Sequence, residues 1–482
     1  MNRTIRHTAV FSLLLVLALL LRATWLQGYE AKALAENDRN RRPVIAQYAQ
    51  PMGDIVVAGA PVTGSARTTG GDLAYKRTYT DGPLYAAVTG YSSQAYGSTQ
   101  LEGIHRSVLD GTDDRLKNPL DALTGEQQKP GSVLTTIDPA VQRAGYEALG
   151  DTKGAAVAID SASGRILGMV STPSYDPSAI AGTADGDTWK KLLADEDKPM
   201  VNRALRQPLP PGSTFKLVVA AAALEDGLYA SVDEPTDSPM PYVLPDTVRE
   251  LPNDIANAPC ENASLRTALR YSCNNVFAQA AVDLGQDKVR AMAEGFGFND
   301  AELDVPVRAY ESVYPTGMNR PETALTGIGQ FEVTATPLQM AMVSAAIAND
   351  GVLEAPHMVS RVVDSAGTTL DAYEDQPSKR VVSERTAEQL RSAMVTVVED
   401  GTASNARVAG AEVGGKTGTA QHGENNSETP YAWFTSYAKG ENGQEVAVAV
   451  LIEDAGGPRS EVSGNGLAAP VAQKMMAAAL KG

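Results

Sequence analysis

The chain has 482 residues, 43% of them hydrophobic, which is enough for a sizeable core in two or three domains and too apolar for a disordered or fibrous protein. A formal net charge of -17 with no basic run argues against a nucleic-acid-binding surface. Four histidines (His7, His105, His357, His422) and two cysteines stand at no spacing that gathers ligands on one ion, so neither a metal site nor a cofactor is expected.

Arg3 and Arg6 precede an uncharged apolar run from Thr8 to Leu21, which Ala23, Trp25 and Leu26 extend past the single Arg22. By the positive-inside rule this reads as export. The run approaches the roughly 20 residues that cross a bilayer, provided Arg22 snorkels outward and Trp25 sits at the interface. The alternative is a cleaved signal peptide, whose small-residue sites, Ala31-Lys32-Ala33 and Ala33-Leu34-Ala35, lie far beyond the apolar run. Residues 1–26 are therefore read as a cytoplasmic tip and single-pass anchor in the cell membrane, with the rest of the chain on the extracytoplasmic side.

Residues 27–135 are rich in Gly, Thr, Asp and Pro with short alternating stretches such as Gly53 to Val57, and predict a small strand-containing pedestal. Asp138-Pro139 signals a helix through Val141 and Tyr146 to Leu149, ended at Gly150, and opens the second domain, 136–482. Ala155 to Ile159 and Arg165 to Val170 predict a hairpin. Three more strands are expected near the C-terminus, over Ala411 to Gln421, Tyr431 to Ala438 and Glu445 to Asp454, with turns around Asn425-Asn426 and Gly440-Glu441-Asn442. Between the two groups the chain is mainly helical. Unpaired strand edges are unfavourable, so the early hairpin and late strands should share one antiparallel sheet with the helical region inserted between them, an α+β fold. A last helix from Pro470 through Met475 to Leu480 should cover that sheet.

Pro210-Pro211-Gly212-Ser213-Thr214-Phe215-Lys216 leads into an Ala-rich helix that ends near Gly227, with Ser213 and Lys216 three apart on one face. A serine hydroxyl becomes a nucleophile when a base takes its proton, and a lysine serves if burial or a second cation lowers its pKa. The bland reading is an N-cap serine beside a solvated lysine. Ser272-Cys273-Asn274 follows a helical stretch and can turn a hydroxyl and an amide to one side, though Ser-x-Asn alone is an ordinary turn. Gly414 to Ala420 contains Lys416-Thr417-Gly418-Thr419 on a strand whose small residues admit a ligand backbone, and whose cation and hydroxyls suit a carboxylate.

In this order, Ser213-Thr214-Phe215-Lys216, Ser272-Cys273-Asn274 and Lys416-Thr417-Gly418 resemble the three motifs of penicillin-binding proteins and serine β-lactamases. Leu134 to Asp138, Ser171 to Pro177, Gly327-Ile328-Gly329-Gln330, Thr336-Pro337-Leu338-Gln339 and Ala432-Trp433-Phe434 are similar to the class B monofunctional transpeptidases, and the short C-terminal end to the short penicillin-binding protein A type of actinobacteria. The resemblance implies a penicillin-binding transpeptidase domain with a helical insert, on a pedestal with one transmembrane helix. It implies attack by Ser213 on the D-alanyl-D-alanine bond of a peptidoglycan stem peptide, with Lys216 accepting the proton. Ser272 would relay a proton to the departing D-alanine, Asn274 would hold Lys216 and the substrate amide, and Lys416 would tune neighbouring pKa values. Thr417 and Thr419 would bind the terminal carboxylate across Gly418, and the backbone N–H groups of Ser213 and Thr419 would form the oxyanion hole. β-Lactams would acylate the same serine. Implied partners are the lipid-linked precursor, a membrane glycosyltransferase and other wall-assembly proteins.

Competing readings follow from the same residues. Gly410 to Thr417 matches the phosphate-binding pattern Gly-x-x-x-x-Gly-Lys-Thr, but that loop should open a helix and this one continues as a strand. A β-lactamase, a D,D-carboxypeptidase, and a non-enzymatic penicillin sensor or assembly scaffold share the motifs. Cys260 and Cys273 enclose a short loop and are either bonded, tying the Ser272–Asn274 turn, or free thiols with Cys273 behind its motif. His422 reads as a hairpin residue and not a catalyst.

Overall fold

The computed structural model describes residues 3–30, 33–34, 40–69, 71–117, 128–373, 376–423, 426–456, 459 and 462–481. The candidate cleavage sites at 31–35 and the turn residue Asn425 lie outside or partly outside these. Helix α1 (Arg3–Trp25) buries no residue and belongs to a 28-residue apolar stretch, Arg3–Glu30, long enough to span a bilayer. At its end Trp25 stacks on Tyr29, and Arg22 pairs with Glu30 at 3.5 Å, which keeps the one internal charge at the rim.

Strands β1 (Ile55–Val57), β2 (Ala60–Pro61) and β3 (Ser132–Thr135) begin the pedestal sheet. On the separate hairpin strand Tyr75–Tyr79, buried Arg77 donates from Nε to buried Glu102 Oε1 at 2.6 Å, and the same guanidinium donates to Gly53 O. Burial drives the Glu102 carboxyl upward, against the pull of Arg77. Two strands from far downstream, β6 (Val359–Val363) and β7 (Thr369–Ala372), complete the sheet in the order β7-β6-β3-β1-β2, so the region after residue 136 returns to the pedestal.

Helix α2 (Pro139–Leu149) starts where expected, because Asp138 accepts from Ala140 N and Val141 N and so satisfies two orphan donors. The hairpin β4 (Lys153–Asp160) and β5 (Ile166–Thr172) joins β8 (Ala411–Ala420), β9 (Tyr431–Gly440) and β10 (Glu445–Asp454) in one antiparallel sheet ordered β8-β9-β10-β4-β5. Nearly every residue of β4, β5 and β10 is buried, because helices cover both faces. Helix α3 (Ala469–Ala479), with Val471, Met475 and Met476 buried, packs against α2 and β10. The opposite face carries the buried apolar helix Pro337–Ala348. Strand β8 lies at the sheet's edge.

Candidate active site

Ser213 lies in a 3₁₀ turn, Gly212–Phe215, that runs directly into the helix Lys216–Glu225. The turn depends on close backbone contact. Gly212 has φ +54°, its N–H donates to Gly329 O at 3.0 Å, and a Cβ on Gly329 (φ +67°) would stand 2.1 Å from Gly212 O. Across from it, a Cβ on Gly418 would stand 2.9 Å from Pro211 O, so a glycine there lets the edge strand reach the serine turn. Phe215, edge-to-face with Phe298 and stacked on Tyr314 at centroid distances of 5.4 and 5.7 Å, anchors the turn.

Lys216 is fully buried. Its Nζ donates to Ser272 O at 2.8 Å, Asn274 Oδ1 at 2.7 Å and Ser272 Oγ at 3.3 Å, and sits 5.6 Å over the Phe277 ring. The spacing of three predicts that this amine reaches the Ser213 hydroxyl. Instead it is drawn to the second motif, because a buried amine takes the acceptors that surround it, and the Ser213 hydroxyl makes no hydrogen bond among the described residues. Lys416, equally buried, donates to the same Ser272 Oγ at 3.0 Å and to Thr417 O at 2.9 Å. One hydroxyl therefore bridges two lysines. Burial pulls the Lys216 amine down to about 7, with Asp254 pulling the other way. Burial takes Lys416 well below its ordinary value, and the neighbouring Lys216 adds to the effect.

The Ser272–Asn274 turn is fixed from several sides. Ser272 caps its helix in the left-handed conformation at φ +58°, and Cys273 is bonded to Cys260 in a disulfide. Asn253, from a loop upstream, accepts from Asn274 N and Asn275 N and caps the helix Asn274–Leu284, which lacks a cap of its own. Buried Asn275 donates to the carbonyls of Ser238, Pro239 and Cys260. Asn274 holds Lys216 through its carbonyl, while its amide group donates to Pro252 O at 2.8 Å and not toward the cleft.

These parts surround a cleft of about 280 Å³ lined by Ser213, Asp254, Ser272, Thr417, Thr419 and Ser463, among others. Thr417 Oγ1 is 2.9 Å from Thr402 Oγ1, which presents the hydroxyl to the cleft floor. Asn253, Asp254, Thr402 and Ser463, each in a loop or ordinary cap position, escape sequence reasoning, as does Asn275 in the first turn of the helix Asn274–Leu284; none carries a spacing signal. The Gly410 to Thr417 segment is strand and opens no helix, which removes the nucleotide-loop reading. His422 donates from Nε2 to Thr429 O within its hairpin and stacks on Tyr431.

An antiparallel sheet with a helical insert, bringing Ser-x-x-Lys, Ser-x-Asn and Lys-Thr-Gly to one cleft, defines a penicillin-binding transpeptidase domain. The chain belongs to that family: residues 154–477 match the penicillin binding protein transpeptidase domain, and residues 52–133 match the penicillin binding protein A dimerisation domain. It is 37% identical to the peptidoglycan D,D-transpeptidase PbpA of Mycolicibacterium smegmatis, covering 100% of this chain and 99% of that one. It is 35% identical to PbpA of Mycobacterium tuberculosis, covering 100% of both. The structure resembles penicillin-binding protein A from M. tuberculosis in its ceftriaxone acyl-enzyme complex, with a TM-score of 0.84, 34% identity, and coverage of 90% of this chain and 100% of that one. The penicillin G acyl-enzyme complex of that protein matches with a TM-score of 0.82, 34% identity, and coverage of 89% and 100%.

Proposed function

We propose that the protein is a membrane-anchored peptidoglycan D,D-transpeptidase that works through a Ser213 acyl-enzyme and is inhibited covalently by β-lactams. The observation that carries this reading is the chain Lys216–Ser272–Lys416, two buried amines sharing one hydroxyl beside Ser213 in a cleft. An amine held near neutrality accepts a proton readily at physiological pH, which is what activation of the Ser213 hydroxyl requires. As Ser213 Oγ attacks the carbonyl between the last two D-alanines, its proton passes to Lys216. Ser272, hydrogen-bonded to both lysines, carries a proton on to the departing D-alanine nitrogen. Asn274 orients Lys216, and Lys416 keeps the local charge balance while Thr417 and Thr419 hold the donor's carboxylate. The backbone N–H groups of Ser213 and Thr419 stabilise the oxyanion, a contribution of several kcal/mol in such sites.

Arg3 and Arg6, in the first turns of the spanning helix, support an extracytoplasmic position for this chemistry by the positive-inside rule. In the same reading residues 27–135 form the pedestal and 136–482 the catalytic domain, and a membrane glycosyltransferase supplies the strands that are joined. The test uses full-length protein in detergent with a thioester donor that mimics an acyl-D-alanine end and an amine acceptor. Transfer product and leaving group should both appear, and both should vanish for Ser213→Ala. Turnover by Ser213→Ala equal to wild type would refute the reading; hydrolysis without transfer would make the protein a carboxypeptidase.

A further inference from the structure

Among the described residues, Asp254 is the only charged side chain that lines the cleft. It is exposed and, among the same residues, makes no ion pair or hydrogen bond. Beside it on the wall stand Ile255, 41% exposed, and Tyr271, whose ring carries the Arg270 guanidinium at 4.9 Å. An unpaired carboxylate in the mouth of a catalytic cleft repels a donor's terminal carboxylate, and the hydroxyls of Thr417 and Thr419 suit that group better. Beneath it both buried lysines feel its field, so the ion acts across the cleft and is not isolated from it. What the charge matches is the second substrate.

Resting on the Ser213 acyl-enzyme, we propose that Asp254 recognises the acyl acceptor, an aliphatic primary amine arriving as its ammonium, while Ile255 and Tyr271 cover its methylene chain. The amine nitrogen attacks the ester carbonyl, the C–N bond forms and the bond from carbon to Ser213 Oγ breaks. In becoming an amide the ammonium gives up two protons; one restores the Ser213 hydroxyl and the other leaves to solvent. Water, the competing acceptor, carries no charge and gains nothing from the carboxylate, so Asp254 biases the acyl group toward transfer.

The test measures full-length protein in detergent, acylated by one thioester donor and offered 1-butylamine or 1-butanol, which share a chain and differ in charge. The ratio of amide to ester product cancels any change in the serine or its lysines, because both products come from the same acyl-enzyme. An exposed ion pair of ordinary strength predicts that Asp254→Asn lowers this ratio about fivefold, and that Asp254→Glu restores most of it. An unchanged ratio in Asp254→Asn would overturn the assignment, and so would equal falls in both products, which would mean that the carboxylate acts through Lys216 and Lys416. If wild-type protein forms no acyl-enzyme with the donor, the transpeptidase reading fails first and takes this inference with it.

Discussion

Lowering the pH should switch off acylation of Ser213 in a window set by Lys216. Burial lowers the affinity of this amine for its proton and brings it to about 7, the cationic form being the one that a closed, apolar setting disfavours. The neutral amine is the competent base, so activity is present above that value and is lost as pH falls through it. With an inflection near 7, about a tenth of the enzyme is competent at pH 6 and about nine tenths at pH 8, so the acylation rate should rise nearly tenfold between them. Burial lowers the proton affinity of Lys416 as well, and the neighbouring Lys216 adds to the effect. The assay is the second-order rate of labelling by a fluorescent penicillin, followed from about pH 5.5 to 9 at constant ionic strength. A flat profile across this span, or an inflection near the value of about 10.4 typical of a solvated lysine, would refute the assignment of Lys216 as base.

Three further perturbations test the architecture around the serine. Gly329→Ala places a Cβ 2.1 Å from Gly212 O at a residue with φ +67°, so the Ser213 turn must shift; penicillin labelling should slow at least about tenfold, with about 1–3 kcal/mol of stability lost to backbone strain alone. Asn275→Ala leaves the carbonyls of Ser238, Pro239 and Cys260 without their donor and should cost about 3 kcal/mol in urea unfolding. Cys260→Ser with Cys273→Ser opens a loop with a sequence separation of 13 and should lower stability by about 3 kcal/mol; an unchanged urea midpoint would show that the packed loop holds without the bond.

The sheet and its covering helices were legible because each β-strand is a local apolar run bounded by turn residues, as in Ala155 to Ile159, and because Asp138-Pro139 is a strong helix start. The cleft is legible in outline: the order of the three motifs points Ser213, Ser272 and Lys416 to one site, although each motif alone is common. The resemblance implies that Asn274 holds Lys216, and the structure has the Lys216 Nζ 2.7 Å from Asn274 Oδ1, but nothing in the spacing shows Ser272 taking this amine in place of Ser213. Spacing along a helix tells which residues are neighbours, but which acceptor captures a buried amine depends on a turn brought in from Ser272 and Asn274. For the same reason nothing local marks Val359–Val363 as a strand of the pedestal sheet, since its partner Ser132–Thr135 lies far back in the chain. Asn253 caps a helix from a distant loop, and side chains that cap across such distances leave no sequence pattern.

The most direct test of Ser213 as the nucleophile is intact-mass and peptide-mass measurement of the full-length protein after incubation with penicillin G. One adduct of the antibiotic's mass is predicted, on the peptide that contains Ser213, and none on Ser213→Ala. An adduct mapped to another residue, or undiminished modification of the Ser213→Ala protein, would contradict it.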